Sequence, residues 1–454
     1  MEDKSAGIRE NFSSRFAVIA AVAGSAVGLG NIWRFPYLTG ENGGAAFLFV
    51  YLIIALAVGI PVMTSEFIIG RAARKNPYGA FRKLAPGKPW YMIGLMGVVA
   101  AFMILAFYTT VAGWTLEYFY QTVTGNLAGK NDSELTLMYN DFLRGSFRPL
   151  LWFLVFMGLT ALIIIAGVTK GIEKYTKILM PVLFVILILL CVRALTLDGA
   201  RKGFDFLFSP DFSKITPKVI LQALGQAFFS LSIGMGTLIT YGSYISSGEN
   251  LAKSSLFVVI ADISIAVLAG MAIFPAVFAL GGSPASGEGL VFIILPGIFD
   301  RMPFGQVFGT LFFLLLSLAA LTSTISVLEV IVAWMTEELN LSRKKATIAS
   351  TAAVSVLGLF TVYSFGPLDS VRLGGKNIFG MLEYLTSNIM LPVGGLFIVL
   401  FIGWFFSREQ TRNQLTNDGT LKGGYIPVLM FLLKFIAPVA IAMVFLYGLG
   451  LFNR

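Results

Sequence analysis

Residues 24–36 read GSAVGLGNIWRFP. The stretch lies inside an apolar run that starts near Phe16, yet it holds three glycines, an asparagine, an arginine and a proline. Glycine in a helix interior costs about 1 kcal/mol relative to alanine. Read alone, Gly24 and Gly28 form a GxxxG pair that would let two helices approach closely. Read as a break, the same residues unwind a helix in its middle.

The rest of the chain says which solvent surrounds that stretch. Of 454 residues, 57% are hydrophobic and 13% charged, with mean hydropathy +0.82. Soluble domains carry roughly 25% charged residues. Apolar runs fall at 16–38, 45–70, 91–124, 149–168, 174–197, 218–245, 254–280, 305–338, 345–363, 380–406 and 425–451. A bilayer core needs about 20 apolar residues per helix. The chain is therefore expected to be an all-α polytopic membrane protein with about 11 transmembrane helices. The third and eighth runs are long enough to tilt or project. The segments between runs are too short for a soluble domain. The first run is too long for a cleaved leader and lacks a small-residue cleavage site.

Net charge is +9. It reads as topology rather than nucleic-acid binding. Arg71, Arg74, Lys75, Arg82, Lys83 and Lys88 crowd one inter-span segment without an acid. Positive residues gather on the cytoplasmic side. Arg343, Lys344 and Lys345, with Lys170, Lys174 and Lys177, agree. The expected location is the plasma (inner) membrane, with the N-terminus cytoplasmic and the C-terminus extracytoplasmic. The single cysteine, Cys191, excludes a disulfide framework. Histidine is absent, which removes the usual general base and metal ligand. No enzyme constellation remains. A channel is disfavoured because there is no repeated filter segment. A sensor that binds without cycling is left open.

A second stretch, FFSLSIGMGT at 228–237, interrupts the sixth run as the first is interrupted. Matched breaks five spans apart point to an inverted-repeat transporter with its site at the midplane. Residues 1–200 would form the first repeat, 201–410 the second, and 411–454 an additional helix. Spans 1 and 6 would be unwound at the midplane, freeing carbonyls for a cation and helix ends for an anion.

At these residues the sequence resembles the neurotransmitter:sodium symporter family. The matching words are GSAVGLGNIWRFPYLTGENGGAAF (24–47), GIPVMTSEFIIGR (59–71), GQAFFSLSIGMG (225–236), YGSYI (241–245) and ALTSTIS (320–326). The spacing from Gly171 to Pro181 is similar to the bacterial branch that carries hydrophobic amino acids. The resemblance implies a LeuT-like fold and sodium-coupled amino acid import by alternating access, with two sodium ions and no obligate protein partner. The alternative within the class is a small amino acid or an amine; relatives that carry amines usually have aspartate at the position of Gly28.

Carried over residue by residue, the resemblance implies a first sodium site at Ala26, Asn31, Ser230 and Asp262. A second would use Gly24, Val27, Ala319, Thr322 and Ser323. These are oxygen ligands suited to a hard ion, although serine and threonine in membrane helices also back-bond to their own helix. Substrate would lie among Ser25, Ala26, Leu29, Gly30, Ile104, Tyr108, Phe229, Ser230, Ser232, Met235, Ser323 and Val327. Met235 re-packs readily, which favours Trp, Phe, Tyr, Leu, Ile, Met and Val; it is also open to reading as plain core. Asp262 stands where many members have asparagine and require chloride. Ala266 stands where such members have serine, while Tyr51 and Gln226 of the chloride pocket are present. Chloride-independent transport is expected, and a protonatable Asp262 offers a proton route for the empty carrier. Arg34 with Glu383 would gate the outer side, and Phe229 would be the lid. Arg9 with Glu337 and Tyr244 would gate the inner side; Arg9 also fits an ordinary positive-inside residue. Gly171 and Pro181 would let the inner end of span 5 unwind, unless Pro181 is simply tolerated near a helix start. Glu66 would support the unwound part of span 1.

Overall fold

A computed structural model describes residues 10–285, 287 and 289–451. Among them there is no strand, only an isolated bridge between Leu373 and Lys376. Among the described residues nine helices are long and apolar enough to cross a bilayer. A tenth span is the pair Arg15–Ala26 and Gly30–Glu41, bent by 51° at the break. The span expected over 218–245 is divided into Pro217–Ser230 and Thr237–Gly242, each too short to cross alone. Together these match the eleven apolar runs.

Local chemistry sets the ends of the broken spans. Ser14 accepts a hydrogen bond from the Ala17 amide and starts Arg15–Ala26. Val27 then turns extended, at φ −76° and ψ 102°. Thr216 accepts from the Val219 amide, with Pro217 in the first turn of the next broken span. That helix stops at Ser230. Ser232, Gly234 and Gly236 follow at φ +55°, +82° and +79°, the left-handed region that ends a right-handed helix.

The two longest helices, Tyr91–Val123 and Gly305–Glu338, pack along each other and flank the breaks. In the most apolar window of Gly305–Glu338, 78% of residues are buried, against 28% for Ile426–Gly448. The first is a central post and the second a peripheral helix. The fifth span, Val168–Leu195, turns Ile178, Val182, Val185, Leu189 and Val192 outward. Their helical spacing makes a stripe for lipid. At one end of the bundle Arg82 and Glu338 lie 4.0 Å apart. The basic 71–90 segment and the turn after the eighth span therefore share a side.

Gly234 is the position where the second break depends on having no side chain. A Cβ there would sit 2.5 Å from the Leu391 carbonyl oxygen. Left-handed backbone costs other residues about 1–3 kcal/mol. Gly234→Ala should lower the melting temperature of the detergent-solubilised protein. Gly225→Ala, where an added Cβ meets nothing within 4 Å, should leave it unchanged or slightly raised. Equal melting of the two variants would contradict this account of the break.

Candidate functional site

Asp262, in the middle of Leu251–Ala279, is fully buried. Its carboxylate collects three donors from three other spans. Asn31 Nδ2 donates to Oδ1 at 2.8 Å, Ser230 Oγ to Oδ1 at 2.7 Å, and Tyr51 OH to Oδ2 at 2.5 Å. Charge-assisted bonds of this kind are short and strong. Asn31 turns its own carbonyl to the Gly28 amide at 3.2 Å, so one side chain ties the first break to Asp262. Ala266, one turn along, is an apolar neighbour. Among the described residues no group of three or more His, Cys, Asp or Glu could hold a metal. One carboxylate among neutral oxygens suits a monovalent hard cation.

Beside this cluster, a cavity lies between the two breaks. It is lined by Ser25, Ala26, Gly28, Gly30, Ile104, Tyr108, Phe229, Ser230, Ser232, Met235, Ser323 and Val327. This gathers every expected substrate residue except Leu29, which lines the cavity above it. The difference has a physical cause. Val27 and Gly28 are not helical, so helical periodicity cannot be carried across them to say whether Gly28 or Leu29 faces inward. Gly28 does, and a Cβ there would lie 2.3 Å from Ser323 Oγ and 2.6 Å from Tyr108 OH. The Leu29 amide donates to Tyr108 OH at 3.0 Å. No charged side chain lines the cavity. Its volume, about 20 Å³, holds roughly one water. A ligand larger than water therefore fits only if side chains of this lining, such as Phe229, Met235 or Val327, change position.

A second oxygen cluster joins spans 1 and 8. Thr322 Oγ1 donates to the Ala319 carbonyl at 2.9 Å and the Val27 carbonyl at 3.3 Å. A Cβ on Gly24 would meet Thr322 Cβ at 3.4 Å. Ser323 Oγ donates to the Ser25 carbonyl at 3.3 Å. Span 5 covers this cluster, since Thr176 and Met180 also stand against Gly24. Gly171 lies in a π-helical turn, Val168–Glu173, and Pro181 inside the helix Lys174–Leu195. The segment before span 1 holds the turn closed. Glu10 accepts from the Val168 amide at 2.8 Å, and the Ser13 amide and hydroxyl donate to Glu173.

Above the cavity, Arg34 and Glu383 line one vestibule with Phe229. Among the described residues no ion pair within 4.0 Å joins them. The Arg34 guanidinium instead stacks on the Phe229 ring at 4.6 Å, with Nε and Nη1 buried and unbonded. Of the expected inner gate, Arg9 lies outside the described residues. Glu337 accepts from the Asn76 amide and side chain at 3.0 and 3.1 Å. Tyr244 OH donates to Glu329 at 2.6 Å. Glu329, fully buried, is gripped by both terminal nitrogens of Arg343 at 3.0 and 2.6 Å. Sequence reasoning missed this pair. The available signal was a carboxylate at membrane depth one helical face from ALTSTIS. Glu66 also differs from expectation: it accepts from the Gly234 amide at 2.8 Å, so it supports the break in span 6 rather than span 1.

A buried amide left without its acceptor costs about 1–3 kcal/mol. Glu66→Leu should therefore lower the melting temperature clearly, while Glu66→Gln, which keeps a carbonyl oxygen for Gly234, should lower it less. The same melt for both variants would remove Glu66 from this role.

Three comparisons with known proteins bear on this geometry. The model of the sodium:neurotransmitter symporter family matches residues 9–140 and 145–453. YhdH of Bacillus subtilis (strain 168), described as an uncharacterised sodium-dependent transporter, is 38% identical over 442 residues, covering 97% of this chain and 98% of the relative. An uncharacterised sodium-dependent transporter of Haemophilus influenzae is 36% identical over 452 residues, with 97% and 98% covered. The crystal structure of MhsT in complex with L-phenylalanine superposes with a TM-score of 0.89 at 47% identity, over 97% of this chain and all of that one. The fold is thus LeuT-like, and the relatives are transporters rather than enzymes. With both breaks, the buried carboxylate and the uncharged cavity in place, the chain belongs to the sodium:neurotransmitter symporter family.

Proposed function

We propose that this sodium-dependent transporter imports hydrophobic and aromatic L-amino acids, with Trp, Phe, Tyr, Leu, Ile, Met and Val as substrates, independently of chloride. The observation that carries the reading is the uncharged cavity beside the Asp262 cluster. An amino acid's carboxylate would lie at the amides of the first break, with Tyr108 OH beside it, and its ammonium at the carbonyls of the second. The side chain would face Ile104, Met235 and Val327. A charged side chain there would lose its hydration without a partner. The phenylalanine complex of MhsT, a close structural neighbour, supports the class.

One sodium ion would sit at Ala26, Asn31, Ser230, Asp262 and the substrate carboxylate. Ion and substrate then bind together because each supplies a ligand or a counter-charge to the other. A second would sit at Gly24, Val27, Ala319, Thr322 and Ser323. Asp262 supplies at the first site the negative charge that chloride would otherwise bring, and Tyr51 is already committed to it at 2.5 Å.

Transport then needs each face of the site to open in turn. Residues 1–200 and 201–410 would act as the inverted repeats, with 411–454 outside them. Outward, Phe229 moves with Arg34 and Glu383. Inward, the turn at Gly171 unwinds up to Pro181, where the helix already lacks one amide donor. This bares the Thr322 cluster to water. Glu10 and Ser13 must release span 5 first. The shared side of Arg82, Glu338 and Arg343 would be the cytoplasmic one by its positive charge, with the N-terminus inside.

Purified protein in liposomes should accumulate tritiated phenylalanine and tryptophan under an inward sodium gradient. Uptake should be undiminished when gluconate replaces chloride, and unlabelled leucine should compete while glutamate and lysine should not. A chloride requirement would overturn the role given to Asp262, and uptake of glutamate or lysine the substrate class. Pro181→Ala should keep equilibrium substrate binding but slow uptake several-fold. Unchanged uptake would mean that span 5 does not unwind there.

A further inference from the structure

After the tenth span ends at Phe406, Ser407 caps a short helix, Arg408–Thr416, and the chain re-enters the bilayer at Ile426. Between that helix and the last span lies an open cavity of about 420 Å³, far larger than the one at the breaks. Three cations line it: Arg408, Arg412 and Lys434. Arg408 and Arg412 are four apart and share a helix face. Lys434 lies eight residues into the span, about 12 Å from its start. There its ammonium rests 5.3 Å from the ring of Trp404. No carboxylate lines the cavity, since Glu409 does not face it, and among the described residues none of the three cations forms an ion pair. The floor is Met430, Phe431 and Phe435, and the two phenylalanines are 54% and 51% exposed.

We infer that this cavity binds the headgroup of an anionic phospholipid of the cytoplasmic leaflet. Basic pockets between membrane helices on that side are suited to such headgroups. The phosphate and its negative charge would meet Arg408, Arg412 and Lys434, and the acyl chains would cover Phe431 and Phe435. A zwitterionic headgroup would bring its own ammonium against three unneutralised cations. A free phosphate would leave both phenylalanines bare. The leaflet rests on the orientation proposed above, but the site does not depend on the substrate.

Native mass spectrometry of delipidated protein tests this. Phosphatidylglycerol, phosphatidylcholine of the same chains, or inorganic phosphate is added back. Wild type should retain phosphatidylglycerol at least about tenfold better than phosphatidylcholine. The variant R408A/R412A/K434A should lose that preference. K88A/K344A/K345A, which removes the same charge at exposed positions, should keep it. A thermal melt of each variant, and the single charge reversal Arg412→Glu, guard against misfolding as the cause. Equal retention of both lipids, retention by the triple variant, loss in the control variant, or displacement of phosphatidylglycerol by inorganic phosphate would each overturn the inference.

Discussion

A peptide that leaves the helix inside a bilayer must find partners, because each unpaired group there costs several kcal/mol. Four side chains meet that demand here. Gln226 donates to the Gly30 carbonyl at 2.8 Å, Asn31 accepts from Gly28, Tyr108 from Leu29, and Glu66 from Gly234. Each comes from a particular helix, so the breaks fix which spans stand next to them. The long third span brings Tyr108, the second brings Glu66 and Tyr51, and the seventh brings Asp262. The uncharged cavity lies between the two breaks these contacts hold.

Asp262 adds charge to that frame. Burying a carboxylate is costly unless it is hydrogen-bonded and paired. Three donors supply the bonds, and none of them is charged. A bound cation would complete the balance, which links ion binding to the geometry of both breaks. The end of the bundle that carries Arg343 is arranged differently. Glu329 and Arg343 form a paired, two-pronged contact with Tyr244 attached, while Glu10 and Ser13 clip the start of span 5. The first contact buries Glu329 completely; the second reaches from exposed Glu10 and Ser13 to buried Val168 and Glu173.

Much of this was legible in the sequence. The apolar runs gave the spans because a bilayer imposes one length on all of them. Glycines beside serines marked both breaks because no other residues leave a helix so cheaply. What was not legible concerns direction. At Val27 and Gly28 the helical period fails, and it is Gly28, not Leu29, that faces the cavity. Glu66 reaches span 6 because its partner is set by packing across helices, which spacing along one chain does not encode. The Glu329–Arg343 pair was hidden for the same reason: the two residues belong to neighbouring spans whose contact appears only when they are packed.

Sodium titration of tritiated phenylalanine binding to purified protein, in chloride-free gluconate, tests the central claim most directly when wild type is set beside Asp262→Asn. A thermal melt of the same samples checks that both are folded. Wild-type binding should rise with sodium with a slope above one, and the variant should lose most of that dependence. A folded Asp262→Asn variant with the sodium dependence of wild type would contradict the place given to this carboxylate.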